Sequence, residues 1–161
     1  MNRRKFLCGT LALSLVQAFG RSTDAAKRFK LGVITDEVDN DLGRALEFVS
    51  EFSLEWVELR NVWGTYVMDF SPDQIRRAKS MIDDLGLKVS CICTPFLKSR
   101  YPGSSPIREN YPASPLDQQF GILKRAIAVA EAFDCRNIRT FSFARCPRPD
   151  DLFQAVVDNI G

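Results

Sequence analysis

Histidine is absent from the 161 residues, and with it goes every reaction that needs imidazole as general base, proton shuttle or metal ligand. Ser-His-Asp triads, HExxH zinc sites and histidine-containing metal cages are excluded. No GxGxxG or GxxxxGK[ST] segment follows a strand-like run, so dinucleotide and P-loop chemistry has no sequence support. The N-terminal apolar run, Leu7 to Phe19, is shorter than the roughly 20 residues a membrane-spanning helix needs. Charge of one sign is lacking too: 22 basic residues face 20 acidic ones, a formal net charge of +2, scattered along the chain. That pattern argues against nucleic acid as a partner.

What is present is ordinary for a globular domain: 45% hydrophobic and 26% charged residues, with 12 Phe. A domain of about 150 residues buries roughly 70% of its unfolded surface, so one sizeable core is expected. The first residues stand apart. Arg3-Arg4-Lys5 is a basic start, Leu7 to Phe19 an apolar stretch and Ala18 a small residue, which is the anatomy of a secretory signal. With Phe6-Leu7 after it, the arginine pair resembles the twin-arginine export signal, and periplasmic or exported localisation is expected. A short basic amphipathic start or a single membrane anchor is the alternative, although the run is too short for a stable span. The expected division is a signal and spacer over 1–24 and a folded domain over 28–161. Cleavage after Val16-Gln17-Ala18 would leave 19 basic against 20 acidic residues, a net charge near −1.

Cys91, Cys93, Cys135 and Cys146 remain beyond that signal. Cys91 and Cys93 flank one residue on a strand-like run, so they point to one face and away from a mutual bond. A four-cysteine zinc site needs two close pairs, and the second is missing. Free or buried thiols are expected.

Strand-like and helix-like segments then alternate. Phe29 to Val38 reads as a first strand, followed by Leu42, Ala45, Leu46, Val49 and Phe52 at helical spacing behind the capping group Asp39-Asn40-Asp41. Glu55 to Arg60 is a second strand. Its helix opens at Ser71-Pro72-Asp73-Gln74, buries Ile75, Ala78, Ile82 and Leu85, and stops at Gly86. Lys88 to Pro95 is the third strand, with a helix over Leu116 to Phe133. Asn137 to Phe143 is the fourth, with a helix over Asp150 to Ile160. Four βα units with apolar strands predict an α/β fold, a parallel sheet with right-handed crossovers.

Chemistry in such folds gathers beyond the carboxyl ends of the strands. Those ends carry Asp36 and Glu37, then Glu58 and Arg60, then Lys98, and finally Arg139. Val57 and Leu59 suit the helix-covered face, which leaves Glu58 and Arg60 together on the other. In a barrel, side chains of alternate strands meet, bringing Arg139 near Glu58 and Arg60. Two guanidiniums would clamp a phosphate or carboxylate of the ligand, with Glu58 orienting one of them or acting on a hydroxyl; a buried ion-pair cluster that fills the barrel centre fits the same residues. Lys98 would contact an anionic ligand or remain solvated. The stretch from Lys98 to Pro115, with Tyr101-Pro-Gly-Ser-Ser-Pro106 and Tyr111-Pro-Ala-Ser-Pro115, overhangs the same end as a lid or a disordered insertion.

Leu31-Gly-Val-Ile-Thr-Asp-Glu37, Trp56-Val-Glu-Leu-Arg60, Ser90 to Lys98 with its Thr94-Pro95, and Asn137-Ile-Arg-Thr-Phe-Ser-Phe143 together resemble the first four strands of the sugar phosphate isomerase/epimerase family with the xylose isomerase-like TIM barrel. The resemblance covers about Lys30 to Gly161. It implies a (βα)4 half of a (β/α)8 barrel with helices outside, a carbohydrate substrate, and a divalent metal that assists proton transfer beside a carbonyl in the full-length barrel. It implies that Glu58, Arg60, Lys98 and Arg139 line the substrate end, with the acid–base and metal half absent; the candidate site is then Glu58 as catalytic group, with Arg60, Lys98, Arg139, Asp36 and Glu37 as substrate-binding residues. The family's metal ligands come from strands five to eight, so no metal ligand is assigned to this chain and none is expected to be bound by it. A complete barrel takes about 250 residues, and the expectation is therefore an exported, truncated protein inactive alone, with a homodimer through the open half-barrel as one way to cover its edges. The competing expectation is a non-catalytic periplasmic sugar- or anion-binding module of doubly wound type.

Overall fold

A computed structural model describes residues 29–105, 114–148 and 150–160. The signal-like segment 1–24 and the start of the second Tyr-Pro piece, 111–113, lie outside the described residues. The chain divides into two units, Met1–Lys30 and Leu31–Gly161, and the second contains the elements that follow.

They are β1 (Gly32–Ile34), a helical turn α1 (Thr35–Val38), α2 (Leu42–Glu51), β2 (Trp56–Leu59), a hairpin of β3 (Asn61–Val62) and β4 (Thr65–Tyr66), α3 (Pro72–Asp83), β5 (Lys88–Cys93), α4 (Leu116–Ala132), β6 (Ile138–Arg139) and α5 (Asp150–Ile160). β1, β2, β5 and β6 form one parallel sheet in that order. Each unit lays its strand beside the preceding one. The order does not reverse among the described strands, so they contain no switch point of the doubly wound kind.

Local chemistry sets the helix starts. Asp41 caps α2 by accepting from Arg44 N at 3.1 Å. Ser71 and Gln74 form a reciprocal capping box at α3, with Gln74 N donating to Ser71 Oγ (3.3 Å) and Ser71 N to Gln74 Oε1 (2.9 Å). Gly86 ends that helical segment at φ +66°, a left-handed geometry that a side chain would strain. At β1 the constraint is space instead: a Cβ on Gly32 would lie 2.8 Å from Trp56 O, so glycine permits close pairing with β2.

One face of the sheet is apolar. Val57, Leu59, Val89 and Ile92 pack against Leu42, Leu46 and Val49 of α2, Ala78 and Ile82 of α3, and Val129 and Ala130 of α4. Each fully buried aliphatic side chain contributes about 1.5–3 kcal/mol, so this seam holds the three helices on that face. Leu85 departs from the expected stripe and is 50% exposed, because the chain leaves the helix at Asp84.

The strands are shorter than the sequence predicts. Strand one ends at Ile34 rather than Val38, since Thr35 to Val38 turns helically and Asp39 N donates back to Thr35 O at 3.0 Å. The third ends at Cys93 and the fourth spans Ile138–Arg139. Beyond it the chain still runs along the loop after β5, with Phe141 N donating to Phe96 O, Phe143 N to Leu97 O and Ala144 N to Ser99 O. Left-handed residues Leu97 (φ 59°) and Phe143 (φ 67°) break the regular ladder there.

Candidate functional site

The register between β2 and β5 determines which side chains meet. Val57 pairs with Val89, but Glu58 pairs with Cys91, so Ser90 is an extra residue. Without it, strict alternation would place Val89, Cys91 and Cys93 together. With it, Val89 and Ile92 enter the core while Cys91 and Cys93 join Glu58 on the opposite face. The bulge is fully bonded: Ser90 Oγ donates to Val57 O (3.2 Å) and Asn137 Nδ2 donates to Ser90 O (2.9 Å).

At the centre of that face, Cys93 Sγ donates to Glu58 Oε2 at 3.3 Å. The ligand atoms of Glu58, Cys91 and Cys93 lie within 4.8 Å of one another. All four cysteines beyond the N-terminal segment are free thiols. Burial pushes the Cys93 thiol up to about 12, with its bond to Glu58 adding to the rise and the Arg139 charge opposing it. Cys91 is raised as well, first by burial and then by the Glu58 charge. Both are protonated at neutral pH, unlike activated nucleophilic cysteines.

Arg139 of β6 stands opposite Cys93 in register. Its Nε is buried without a hydrogen-bond partner. Thr94, itself buried, fixes the backbone there: its Oγ1 donates to Arg139 O (2.9 Å) and accepts from Phe96 N (3.1 Å). The Phe141 ring lies 5.6 Å from the Arg139 guanidinium and 5.4 Å from Lys98 Nζ. Two cations thus share one aromatic. Lys98 is exposed.

Arg60 has other partners. Its Nε donates to Asp36 Oδ2 at 2.8 Å and its Nη2 to Glu37 Oε1 at 2.6 Å. These bonds, that to Asp36 foremost, raise the Arg60 pKa above its ordinary value. Asn61 Nδ2 also donates to Asp36 Oδ2 (3.3 Å), while Asp36 Oδ1 is buried without a partner. The expected meeting of Arg60 with Arg139 around Glu58 therefore divides into two sets: a carboxylate–arginine rim at the ends of β1 and β2, and Glu58 with the cysteines and Arg139 further across. Arg60 lies one residue past β2, where the turn α1 brings both acids within its reach.

Two features escaped the sequence reading. Gln119 of α4 is buried, accepts from the strained Leu97 N (2.7 Å) and donates to Ser114 Oγ (2.6 Å), so it holds the loop that carries Lys98. Nothing in a polar residue within a helical run signals that role. The β3–β4 hairpin turns on Trp63-Gly64, both left-handed, which is a two-residue turn signature. Separately, a cavity of about 630 Å³ is lined by Tyr101, Phe143, Cys146, Leu152, Phe153 and Val156, among others. Phe153 is 68% exposed beside it.

No family model matches the chain, and no curated protein is significantly similar to it. Among the described residues one cluster of three ligating side chains is present, Glu58 with Cys91 and Cys93, and its two sulfurs do not suit an oxygen-ligated cation such as magnesium or calcium. No helix among the described residues is long and apolar enough to cross a membrane.

Proposed function

We propose that residues 28–161 are the first half of a (β/α)8 barrel, and that the sheet face opposite α2, α3 and α4 is the substrate side of a sugar or sugar phosphate isomerase or epimerase. The observation that carries this is the sequential strand order combined with Glu58 and Arg139 on the face opposite the helices. In barrels that face is the lumen, and substrates sit at the carboxyl ends of its strands. Arg139, whose Nε lacks a partner, anchors an anionic or hydroxyl-rich ligand, and Lys98 supplies a second cation at the rim. The Phe141 ring between them offers an apolar platform for the C–H face of a sugar. Glu58 is the acid–base group, and a substrate hydroxyl takes the place of the Cys93 thiol at Oε2. Asp36, Glu37 and Arg60 brace the rim, and a ligand reaches Arg60 only by competing with its two carboxylates.

Proton transfer in this reading needs groups beyond this chain, so binding is the assay. A panel of aldose and ketose phosphates, titrated by calorimetry into the full chain, should show at least one saturable binder. Arg139→Met should remain folded and lose that binding by tenfold or more. Absence of any binder, or a variant that binds as well as the parent, counts against the reading. Export through the twin-arginine pathway is supported by Arg3-Arg4-Lys5-Phe6-Leu7. A reporter fused behind residues 1–30 should stay in the cytoplasm once both arginines are changed to lysine; continued export would refute it. Two copies of the chain are inferred to pair through the open face.

A further inference from the structure

We propose that Glu58, Cys91 and Cys93 form a binding site for a thiophilic divalent cation of the zinc class, with the fourth coordination position on the sheet face opposite α2, α3 and α4. Each side chain offers one ligand atom, and the three atoms lie within 4.8 Å of one another, the Glu58–Cys93 pair at 3.3 Å. Zinc bonds of about 2.3 Å to sulfur and 2.1 Å to oxygen set tetrahedral edges of roughly 3.5–3.8 Å. The observed spacing is within a side-chain rotation of that geometry. The backbone is already in place, because β2 and β5 are paired through Glu58 and Cys91, and the Ser90 bulge turns both thiols toward the carboxylate.

The donor set selects the metal. Two sulfurs and one carboxylate oxygen suit zinc, cobalt or cadmium; calcium and magnesium take oxygen ligands. Charge favours occupation as well. Binding releases the two thiol protons to solvent; the two thiolates and the carboxylate then exceed the charge of a divalent cation by one negative unit, and Arg139, opposite Cys93 with its Nε unpartnered, supplies the balancing positive one. Three protein ligands with an open position is the arrangement of zinc sites that hold water or a substrate. The site stands on residues of this chain alone and does not rest on the carbohydrate reading; the cation and a substrate hydroxyl would compete for Glu58.

The test is cobalt substitution in the full chain, kept reduced with a phosphine. One equivalent of Co²⁺ should give a sulfur-to-cobalt charge-transfer band in the near ultraviolet and intense visible bands of a tetrahedral site, and zinc should displace both. Cys91→Ser and Cys93→Ser should each abolish the charge-transfer band, while Cys8→Ser, Cys135→Ser and Cys146→Ser leave it. Glu58→Gln should weaken Co²⁺ binding by about tenfold or more. No charge-transfer band, or one that survives loss of Cys91 and Cys93, overturns the proposal. X-ray absorption of the zinc-loaded parent protein keeps the test independent of whether the variants fold: two sulfurs with oxygen or nitrogen in the first shell support the site, and any other sulfur count refutes it.

Discussion

Replacing Arg60 with methionine separates the two roles open to it. Asp36 is almost wholly buried, its side chain 4% exposed, whereas Arg60 is 27% exposed. At 2.8 Å and an effective dielectric of about 20, the pair attracts by about 6 kcal/mol before desolvation and side-chain ordering are subtracted. Breaking a buried pair by removing one partner costs about 3–5 kcal/mol. Here the cost is lower, because Asn61 still donates to the same oxygen and solvent reaches the arginine. Arg60→Met should therefore destabilise the chain by about 2 kcal/mol, close to a 1 M fall in the urea midpoint. Asp36→Asn combined with it should cost less than the sum of the singles, with a coupling of about 1–1.5 kcal/mol. Ligand affinity should hardly change. A loss below about 0.5 kcal/mol, or strict additivity, would refute the brace; if binding fell while stability held, Arg60 would be a ligand clamp instead.

Ser71→Ala removes one half of the α3 capping box and should cost about 1 kcal/mol in thermal or urea unfolding, whereas Ser71→Asp should restore most of it; equal stability of all three chains would contradict the cap. Arg44 beside Asp39 holds that carboxyl below its ordinary 3.8, so the pair stabilises the fold above that pH and the contribution fades as pH falls through the lowered folded value. Asp39→Asn should accordingly flatten the acid limb of the stability–pH curve below about pH 4, and an unchanged limb would count against the pairing.

Much of the fold was legible because its signals are local. Ser71-Pro72 with Gln74 marks one helix start and Gly86 the stop beyond it; Val57 and Leu59 alternate with Glu58, and the two faces of β2 follow from that alone. The strand ends were not, because they depend on tertiary partners: Thr35 leaves β1 to turn back on itself, and Phe141 and Phe143 bond to the loop at 96–97 outside any regular ladder. The site was half legible. Cys91 and Cys93 on one face, and Glu58 away from the helices, can be read from period two. Their meeting depends on one extra residue at Ser90, and a bulge leaves no mark in a run of small and β-branched residues. The bonds of Arg60 to Asp36 and Glu37 were not legible, because these partners lie 24 and 23 positions earlier and reach it only through the turn α1.

The sheet face opposite α2, α3 and α4 and the two edges of the described sheet bear directly on the inferred pairing of two copies. Among the described residues β1 is an edge with Leu31 57% exposed beside it, and β6 is an edge of two residues; edges of this kind invite association. A two-fold interface sets each residue i of one copy against j of the other and j against i. Glu58 and Arg139 lie on that face, so one two-fold axis can place the carboxylate of each copy against the guanidinium of its partner, whereas self-contact of either residue would repel. Sedimentation of the full chain at micromolar concentration should accordingly show a dimer. Glu58→Arg alone, or Arg139→Glu alone, should give monomers, because each cross-contact then joins like charges. An equimolar mixture of the two single variants should recover a heterodimer, since every cross-contact again joins opposite signs. Recovery on mixing distinguishes an interface from a folding defect within one chain: a parent that sediments as a monomer, or single variants that dimerise unchanged, would remove the pairing.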